Sequence, residues 1–151
     1  MTNRSRIAFD TNLLAYAEGT NGALMRDKAQ QVIQQLPQDL IVLPAQTLGE
    51  LFNVLVRKVK RSPQRARHAV LSWCDAYAVV ETSSIVVASA IDLSPDHGLS
   101  IWDSVVLSAS AHAGCRLLLS EDLQEGFTWR GVTVANPFSS DLHPVLAGWL
   151  R

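Results

Sequence analysis

The chain has 151 residues, of which 48% are hydrophobic and 18% are charged, as expected for one ordinary domain with its own packed core. Its formal net charge of −1 at pH 7 gives no overall attraction to nucleic acid or to an anionic membrane, so either partner would have to bind a local patch. We therefore predict a single domain spanning residues 1–151.

Short apolar runs alternate with amphipathic segments in the first third of the chain. "RIAFD" (residues 6–10) predicts a first strand, and residues 23–36 predict a helix because their apolar side chains recur on one stripe. "LIVLP" (residues 40–44) predicts a second strand. The clearest helical pattern follows in residues 45–60, whose apolar positions are Leu48, Leu51, Phe52, Leu55, Val56 and Val59.

The same alternation continues through the middle of the chain. Ser62 and Pro63 predict the start of another helix that runs to about Ala78, followed by a short strand in "AVVE" and a helix from about Ser83. The next three residues with turn propensity are Asp96, His97 and Gly98, which predict a turn.

The last third begins with "SIWDSVVLSASAHAG" (residues 100–114), which predicts a helix ended by Gly114. "CRLLLS" and "VTVAN" predict strands on either side of a loop, residues 121–131. The helix residues predicted to face the core are Ile101, Trp102, Val105, Val106 and Ala109. Strands separated by helices imply a three-layer α/β/α sandwich with a mostly parallel central sheet.

Cysteine usage and the N-terminal segment indicate where such a domain works. Cys74 and Cys115 lie in apolar stretches, without the spacing of a disulfide scaffold or of a zinc site. The basic start "MTNRSR" is followed by an apolar segment that Asp10 interrupts, and no apolar run approaches ~18 residues. We expect a cytoplasmic protein that is not targeted to a membrane.

Acidic side chains fall where the predicted elements change. Asp10 ends the first strand, and Glu121 and Asp122 follow the strand "RLLLS". Glu50 and Asp103 lie in the first turns of helices that begin near the same edge of the sheet. Because sites in such sheets form beyond the carboxyl ends of the strands, four separate segments can bring carboxylates to one place.

Each acid also has a purely structural explanation. Asp10 can cap a helix that starts near Leu13, and Asp122 can be a solvated loop residue. Two segments have the spacing of a capping box, in which the acid reaches back to a free backbone N–H: Thr47-x-x-Glu50 and Ser100-x-x-Asp103. The joint pattern favours a site, because a charge at the end of a buried strand is costly unless a partner compensates it.

A divalent cation is the partner that suits these acids. Carboxylates within ~4 to 6 Å of one another repel and raise their own pKa values unless a cation keeps them ionised. Oxygen ligands without nearby His or Cys favour Mg²⁺ or Mn²⁺ over zinc. The histidines have no paired metal spacing and are predicted to be surface or core residues: His68, His97, His112 and His143.

Four segments in chain order carry a resemblance to a known family: "FDTNLL" with Asp10, "TLGELFNVL" with Glu50, "SIWDSVVLSASA" with Asp103, and "LLLSEDLQEGFTWRGVTVANPF" with Asp122. The chain resembles PIN-domain ribonucleases, and in particular VapC-like toxins of toxin–antitoxin pairs. The resemblance implies that this acidic quartet holds Mg²⁺ or Mn²⁺, that Asn12 and Ser120 orient the site, and that the protein forms a homodimer whose active-site groove a cognate antitoxin occludes.

One departure from the family pattern concerns the segment after the last core strand. Ser120 and Glu121 stand where many relatives have Thr followed by Asn or another polar residue. This difference leaves open whether Glu121 shares the metal-binding role.

The predicted chemistry is hydrolysis of an RNA phosphodiester bond. No Cys–His or Ser–His pair stands in a recognisable motif, and no Gly-rich phosphate loop is present in the sequence. A metal held by Asp10, Glu50 and Asp103 would activate a water, and Asp122 would hold a second ion or steer that water.

A negatively charged substrate also needs cations at the rim of an acidic site. Six of the 13 Lys and Arg residues lie between Arg57 and Arg67, and helical spacing predicts Asn53, Arg57 and Arg61 on the flank of Glu50, where they would bind the RNA backbone. The alternative is a solvated helical surface.

Two tryptophans have predicted positions. Trp129 would either stack on an unpaired base or anchor its loop, and Trp102 is predicted to be a core residue.

Two other functions compete with a ribonuclease. A haloacid-dehalogenase-like phosphatase also begins with a strand that ends in Asp, but it needs a second Asp two positions later, where this chain has Asn12. The other is a catalytically silent PIN-like module that binds RNA or a protein, against which the presence of all four acids argues.

Overall fold

The computed structural model of the protein describes residues 6–150, which form six strands and seven α-helices with one 3₁₀ turn at Gln38–Leu40. The strands are β1 (Arg6–Phe9), β2 (Ile41–Pro44), β3 (Ala78–Val80), β4 (Cys115–Leu119), β5 (Thr128–Trp129) and β6 (Val132–Ala135). The helices are α1 (Thr11–Ala17), α2 (Gly22–Gln35), α3 (Ala45–Arg57), α4 (Pro63–Ala76), α5 (Ser84–His97), α6 (Ile101–His112) and α7 (Pro144–Ala147). Across these residues, no helix is long and apolar enough to cross a membrane.

The strands form one sheet in the order β3-β2-β1-β4-β6-β5. Every neighbouring pair is parallel except β5 and β6. Strand β1 is central, with Ala8 opposite Val42 of β2 on one side and Leu118 of β4 on the other. The chain builds β2 and β3 on one side of β1 before it crosses to β4 on the other. The carboxyl ends of β1 and β4 therefore flank the point where strand order reverses, which is where ligands bind in open parallel sheets.

Side chains of the strands alternate between two apolar layers. Ile7 and Phe9 point into a cluster formed with helices α1, α2, α3, α4 and α7, whereas Ala8 points into a second cluster with α5 and α6. All three strand residues are at most 1% exposed. The predicted three-layer α/β/α sandwich with a mostly parallel sheet is confirmed.

The loop predicted at residues 121–131 contains the short strand β5, which the sequence analysis missed. It forms a hairpin with β6 through a two-residue turn, in which Arg130 and Gly131 have φ of 47° and 86°. Positive φ at both turn residues matches the twist of a two-residue hairpin. The usual Asn-Gly or Asp-Gly signal is replaced here by Arg-Gly, and the strand has only two residues.

The turn predicted at residues 96–98 is wrong for its first two residues. Helix α5 continues through Asp96 to His97, and only Gly98 leaves the helix, with φ of 65°. Leu93 in this part of the helix is 2% exposed and packs in the second apolar layer, so packing outweighs the turn propensity of "SPDHG".

Two other helix boundaries differ from the sequence expectation. Helix α3 ends at Arg57 rather than residue 60, and Lys60 has φ of 56°, which cannot continue a helix. Helix α1 begins at Thr11, two residues before Leu13, because Asp10 caps it directly.

Candidate active site

Asp10 lies at the carboxyl end of β1 and is only 6% exposed. One carboxylate oxygen accepts a hydrogen bond from the backbone N–H of Thr11 at 2.8 Å, and the other accepts one from the Ser120 hydroxyl at 2.8 Å. Burial raises the pKa of Asp10 from 3.8 to about 6; these two hydrogen bonds oppose the rise, whereas repulsion from Asp103 and Glu50 adds to it. Asp10 therefore both caps helix α1 and belongs to the group of acids.

Ser120 connects this carboxylate to the loop after β4. Its hydroxyl donates to Asp10 and accepts from the backbone N–H groups of Asp122 and Leu123, both at 3.2 Å. The Asn12 amide lies 3.5 Å from the same hydroxyl, and its carbonyl accepts from the Glu121 backbone N–H at 3.4 Å. Asn12 and Ser120 thus contact each other and the start of the loop that carries Asp122.

Both carboxylate oxygens of Glu50 are held by neighbouring side chains. The Thr11 hydroxyl donates to one oxygen at 2.7 Å, and the Gln46 amide donates to the other at 3.0 Å. The capping box predicted for Thr47 and Glu50 is wrong. Pro44 is the N-cap residue of α3, and the Thr47 hydroxyl donates to the Pro44 carbonyl at 2.7 Å.

Asp103 enters the site from the first turn of α6. Ser100 caps this helix, and its hydroxyl accepts from the Asp103 backbone N–H at 3.1 Å, which is the serine half of the predicted capping box. Burial raises the pKa of Asp103, and repulsion from Glu50 and Asp122 raises it further, against the hydrogen bond to Ser100. Because each of the four acids repels at least one other, the structure brings all of them into one electrostatic neighbourhood.

The arrangement fits a divalent cation in charge and in donor type. None of the four acids forms a salt bridge within residues 6–150, so their charge is left without a protein cation. All offer carboxylate oxygen, which Mg²⁺ and Mn²⁺ prefer. In the side-chain positions of this part of the chain, however, no three His, Cys, Asp or Glu residues are close enough to hold one ion. Binding would require some of these carboxylates to rotate toward a shared ion.

A cavity of about 540 Å³ opens between α1 and α3, with Glu50 and Asp122 in its wall. Lys58 is the basic residue that lines it, and the remaining polar lining includes Asn12, Asn53 and Tyr16. A second cavity of about 360 Å³ lies on the other side of Glu50 and Asn53 and shares both of them. A chain-like ligand could therefore pass across Glu50 from one cavity to the other.

Of the three residues predicted to bind substrate, Asn53 and Arg57 are in contact, and Arg61 lies apart from them. Asn53 lines both cavities. The Arg57 guanidinium donates to the side-chain amide oxygen of Asn53 at 2.9 Å. Arg61 does not continue the flank of α3, because the helix has already ended. It forms a salt bridge with Glu18 at 2.8 Å instead. The helical spacing assigned to Arg61 is wrong.

Of the two tryptophans, Trp102 differs from the expectation, whereas Trp129 fits one of its two predicted roles. Trp102 was predicted to lie in the core but is 59% exposed, because α6 is buried over Ser104–Ser110 and not in its first turn. Trp129 packs partly against the second apolar layer and lies under the Arg130 guanidinium, 4.5 Å from the ring centre. Trp129 is therefore an anchor of the hairpin.

Sequence reasoning missed three residues of the site. Thr11 and Gln46 hold Glu50, and the Tyr16 hydroxyl donates to Glu121 at 2.9 Å. This bond and burial raise the pKa of Tyr16 to about 12, burial being the larger cause. Gln46 was detectable from the four-residue spacing to Glu50 on one helix, but Thr11 and Tyr16 were not, because their partners are distant in sequence.

Comparison with known proteins shows the family of the chain. The sequence profile of the PIN domain matches residues 7–125, a range that contains all four acids. The chain belongs to the PIN domain family. Comparison with curated protein sequences gives no significant match.

Solved structures of toxins share this PIN fold at low sequence identity. VapC20 of Mycobacterium tuberculosis, described as a sarcin-ricin loop cleaving toxin, has a TM-score of 0.65 at 18% identity over 77% of this chain and 89% of its own. A toxin–antitoxin complex from Klebsiella pneumoniae has a TM-score of 0.65 at 20% identity, over 87% of this chain and 98% of its own. DNA-bound VapBC from Salmonella typhimurium has a TM-score of 0.64 at 12% identity, over 88% of this chain and 98% of its own.

Proposed function

We propose that this PIN domain is a metal-dependent endoribonuclease and the toxin of a toxin–antitoxin pair. The observation that carries the proposal is the mutual repulsion of four carboxylates from separate segments: Asp10, Glu50, Asp103 and Asp122. Placing uncompensated acids together lowers stability, and such a cluster persists where function requires it.

Asp10, Glu50 and Asp103 would hold Mg²⁺ or Mn²⁺, with Asp122 as a further ligand or as the group that steers the attacking water. A bound divalent ion supplies a water of lowered pKa and stabilises charge on the phosphate in the transition state. The chain's own residues fix the acids: Thr11 and Gln46 restrain Glu50, while Ser120 restrains Asp10 and the start of the loop that carries Asp122.

RNA would enter through the cavities on either side of Glu50. Asn53 and Lys58 lie in the wall of the larger cavity, and Arg57 is bonded to Asn53, so these side chains would contact the backbone of the strand. Arg61 was predicted for the same role, but it lines a different cavity and would contact RNA from there.

The partners are proposed from the structural relatives. The Klebsiella pneumoniae and Salmonella typhimurium structures are toxin–antitoxin complexes, and we propose a cognate antitoxin that covers the active-site groove of this chain. We also propose the homodimer that the family resemblance implies.

Cleavage of RNA by the purified protein tests the function. We expect cleavage of an unstructured RNA with Mg²⁺ or Mn²⁺, and its loss in EDTA. The Asp103→Asn variant should lose at least about a hundredfold in rate, because the site loses one charge of the cluster. Asp92→Asn, which changes an exposed acid on α5, is the matched control and should cleave like the wild type. Equal cleavage by Asp103→Asn, or undiminished cleavage in EDTA, would overturn the proposal.

The second candidate is a catalytically silent PIN-like module that binds RNA or a protein. Its support is that no three acids in residues 6–150 stand in a metal-binding arrangement as described. Such a module would bind RNA equally well with and without EDTA and would leave it intact, so the same experiment separates the two.

A further inference from the structure

A third cavity, the basic cavity, is lined by basic side chains and lies away from the acidic site, between the end of α1 and one face of α4. It has a volume of about 460 Å³ and does not share residues with the cavity that contains Glu50 and Asp122. Its polar lining consists of Glu18, Arg61, Gln64, Arg65, His68 and Ser72. Nothing in the proposed catalytic reaction uses these side chains.

The one acid in the lining, Glu18, is already fully engaged. One carboxylate oxygen accepts from Arg61 at 2.8 Å, and the other accepts from the Trp73 indole N–H at 3.0 Å. Arg61 also donates to the Glu18 backbone carbonyl at 3.0 Å. Glu18 therefore neutralises Arg61 and leaves the charge of Arg65 uncompensated, since Arg65 forms no salt bridge in the described part of the chain.

The remaining donors lie along one face of α4. Gln64, Arg65, His68 and Ser72 follow the spacing of successive helical turns, and all line the cavity. A guanidinium flanked by an amide and an imidazole is a donor set for a phosphate, whose oxygens accept several hydrogen bonds at once. The Ser72 hydroxyl already donates to the backbone carbonyl of His68 at 2.9 Å, so it is not part of this donor set.

The connection between α3 and α4 links this cavity to the active site. Lys58, the C-cap residue of α3, lines the cavity with Glu50, and three residues later Arg61 lines the basic cavity. The turn between them is fixed by the left-handed conformation of Lys60 and by Ser62, which caps α4. Lys58 and Lys60 thus place basic side chains on the connection that leads from one cavity to the other.

We propose that this cavity binds a backbone phosphate of the RNA strand, several nucleotides from the bond that is cut. The inference rests on the proposed ribonuclease function, since it takes the strand in the active site as the one that continues past Lys58. An acidic peptide is the competing ligand, but the position of Lys58 and Lys60 between the substrate cavity and Arg65 favours a strand that occupies both cavities.

Salt-dependent binding of RNA tests this site. The assay measures the affinity of an oligouridylate of about 12 nucleotides, within the length that such grooves cover, for protein carrying Asp103→Asn so that the RNA stays intact. Adding Arg65→Gln and His68→Gln should weaken binding by about threefold to tenfold at low salt. It should also reduce the slope of log affinity against log salt by about 0.7 for each phosphate that the protein no longer neutralises.

Arg67→Gln is the matched control. It removes the same charge from the same helix two positions along, where the side chain points away from the cavity, and the salt slope should fall less than for the double variant.

Two results would overturn the inference. One is an equal salt slope for Arg67→Gln and for the double variant. The other is unchanged RNA binding combined with weaker antitoxin binding, which would assign the cavity to an acidic peptide. Failure of the ribonuclease function is a separate outcome, because it would appear as absent cleavage by the wild-type protein.

Discussion

A single hydroxyl, that of Ser120, organises the acidic site. It donates to the buried carboxylate of Asp10 and accepts from the backbone N–H groups of Asp122 and Leu123. Ser120 is itself fully buried, so water cannot replace these bonds if the hydroxyl is removed. The position of two of the proposed metal-binding acids therefore depends on one small polar side chain.

We expect Ser120→Ala to destabilise the protein by about 1 to 3 kcal/mol, since it leaves buried donors and an acceptor unpaired. The pKa of Asp10 should also rise further above its value of about 6, because the lost hydrogen bond is one of those that lower it. Urea unfolding and NMR titration of the Asp10 carboxyl measure the two effects. Ser140→Ala, at an exposed serine, should change stability by less than about 0.5 kcal/mol, and equal losses in both variants would contradict the structural role of Ser120.

At the level of residues, the four acids could be proposed as a site from the sequence, whereas the support of Glu50 by Thr11 could not. Asp10, Glu50, Asp103 and Asp122 were detectable because carboxylates at the ends of apolar elements are costly and thus informative. The supporting bond from Thr11 to Glu50 joins residues 39 positions apart, and it depends on how α1 packs on α3. Packing of that kind is set by tertiary structure and leaves no periodic pattern in the chain.

At the level of elements, two glycines differ only in backbone conformation. Gly49 lies inside helix α3 with ordinary helical geometry, whereas Gly98 ends α5 with φ of +65°. A Cβ atom added at either position would meet no other atom within 4 Å. Any difference between alanine substitutions at these sites is therefore due to backbone preference.

We expect Gly49→Ala to stabilise the metal-free protein by about 0.5 to 1 kcal/mol, because alanine loses less backbone entropy in a helix. Gly98→Ala should destabilise it by about 1 kcal/mol, because an L-residue is strained in the left-handed region. Chemical denaturation of both variants in EDTA gives the comparison. Changes of the same sign would show that backbone preference does not control these positions.

The elements themselves were largely predictable, and their ends were not. Buried parallel strands such as β4 are continuous apolar runs, and α3 has a clear stripe, so both could be recognised from sequence. The end of α3 at Arg57 and the hairpin strand β5 depend on left-handed Lys60 and Arg130, residue types that rarely adopt positive φ. The error for Arg61 followed directly from the first of these, since a longer helix would have placed it on the same flank of α3 as Glu50.

For the molecule as a whole, a net charge near zero conceals two regions of opposite sign. The acids converge near the carboxyl ends of β1 and β4, while the basic residues from Arg57 to Arg67 lie at the end of α3, on the connection to α4 and in the first turns of α4. An RNA strand with a metal ion would satisfy both regions, because the ion neutralises the acids and the basic residues attract phosphates. Without metal, the stability of the protein should therefore fall as pH rises and the acids ionise. Binding of a divalent ion should raise it again.

The pH dependence follows from Asp10, whose pKa is about 6 in the metal-free folded protein and 3.8 as the ordinary value. Because the folded state holds this proton more tightly, the stabilisation from protonated Asp10 is complete below about pH 4 and is lost as pH rises through about 6. The loss amounts to at most about 3 kcal/mol, from roughly two pKa units at 1.36 kcal/mol each.

Replacing Asp10 with Asn removes this titration and one metal ligand together. In EDTA, we expect Asp10→Asn to match the wild type in stability near pH 4 and to exceed it by about 1 to 3 kcal/mol near pH 7.5. With Mn²⁺ at about a hundred times its Kd, the wild type should gain about 2.7 kcal/mol near pH 7.5, whereas the variant should gain much less. Thermal melts at the two pH values, with and without metal, measure all four states. A wild type that is more stable than Asp10→Asn in EDTA near pH 7.5 would mean that the buried carboxylate is already compensated by the protein, and the need for a cation at this site would disappear.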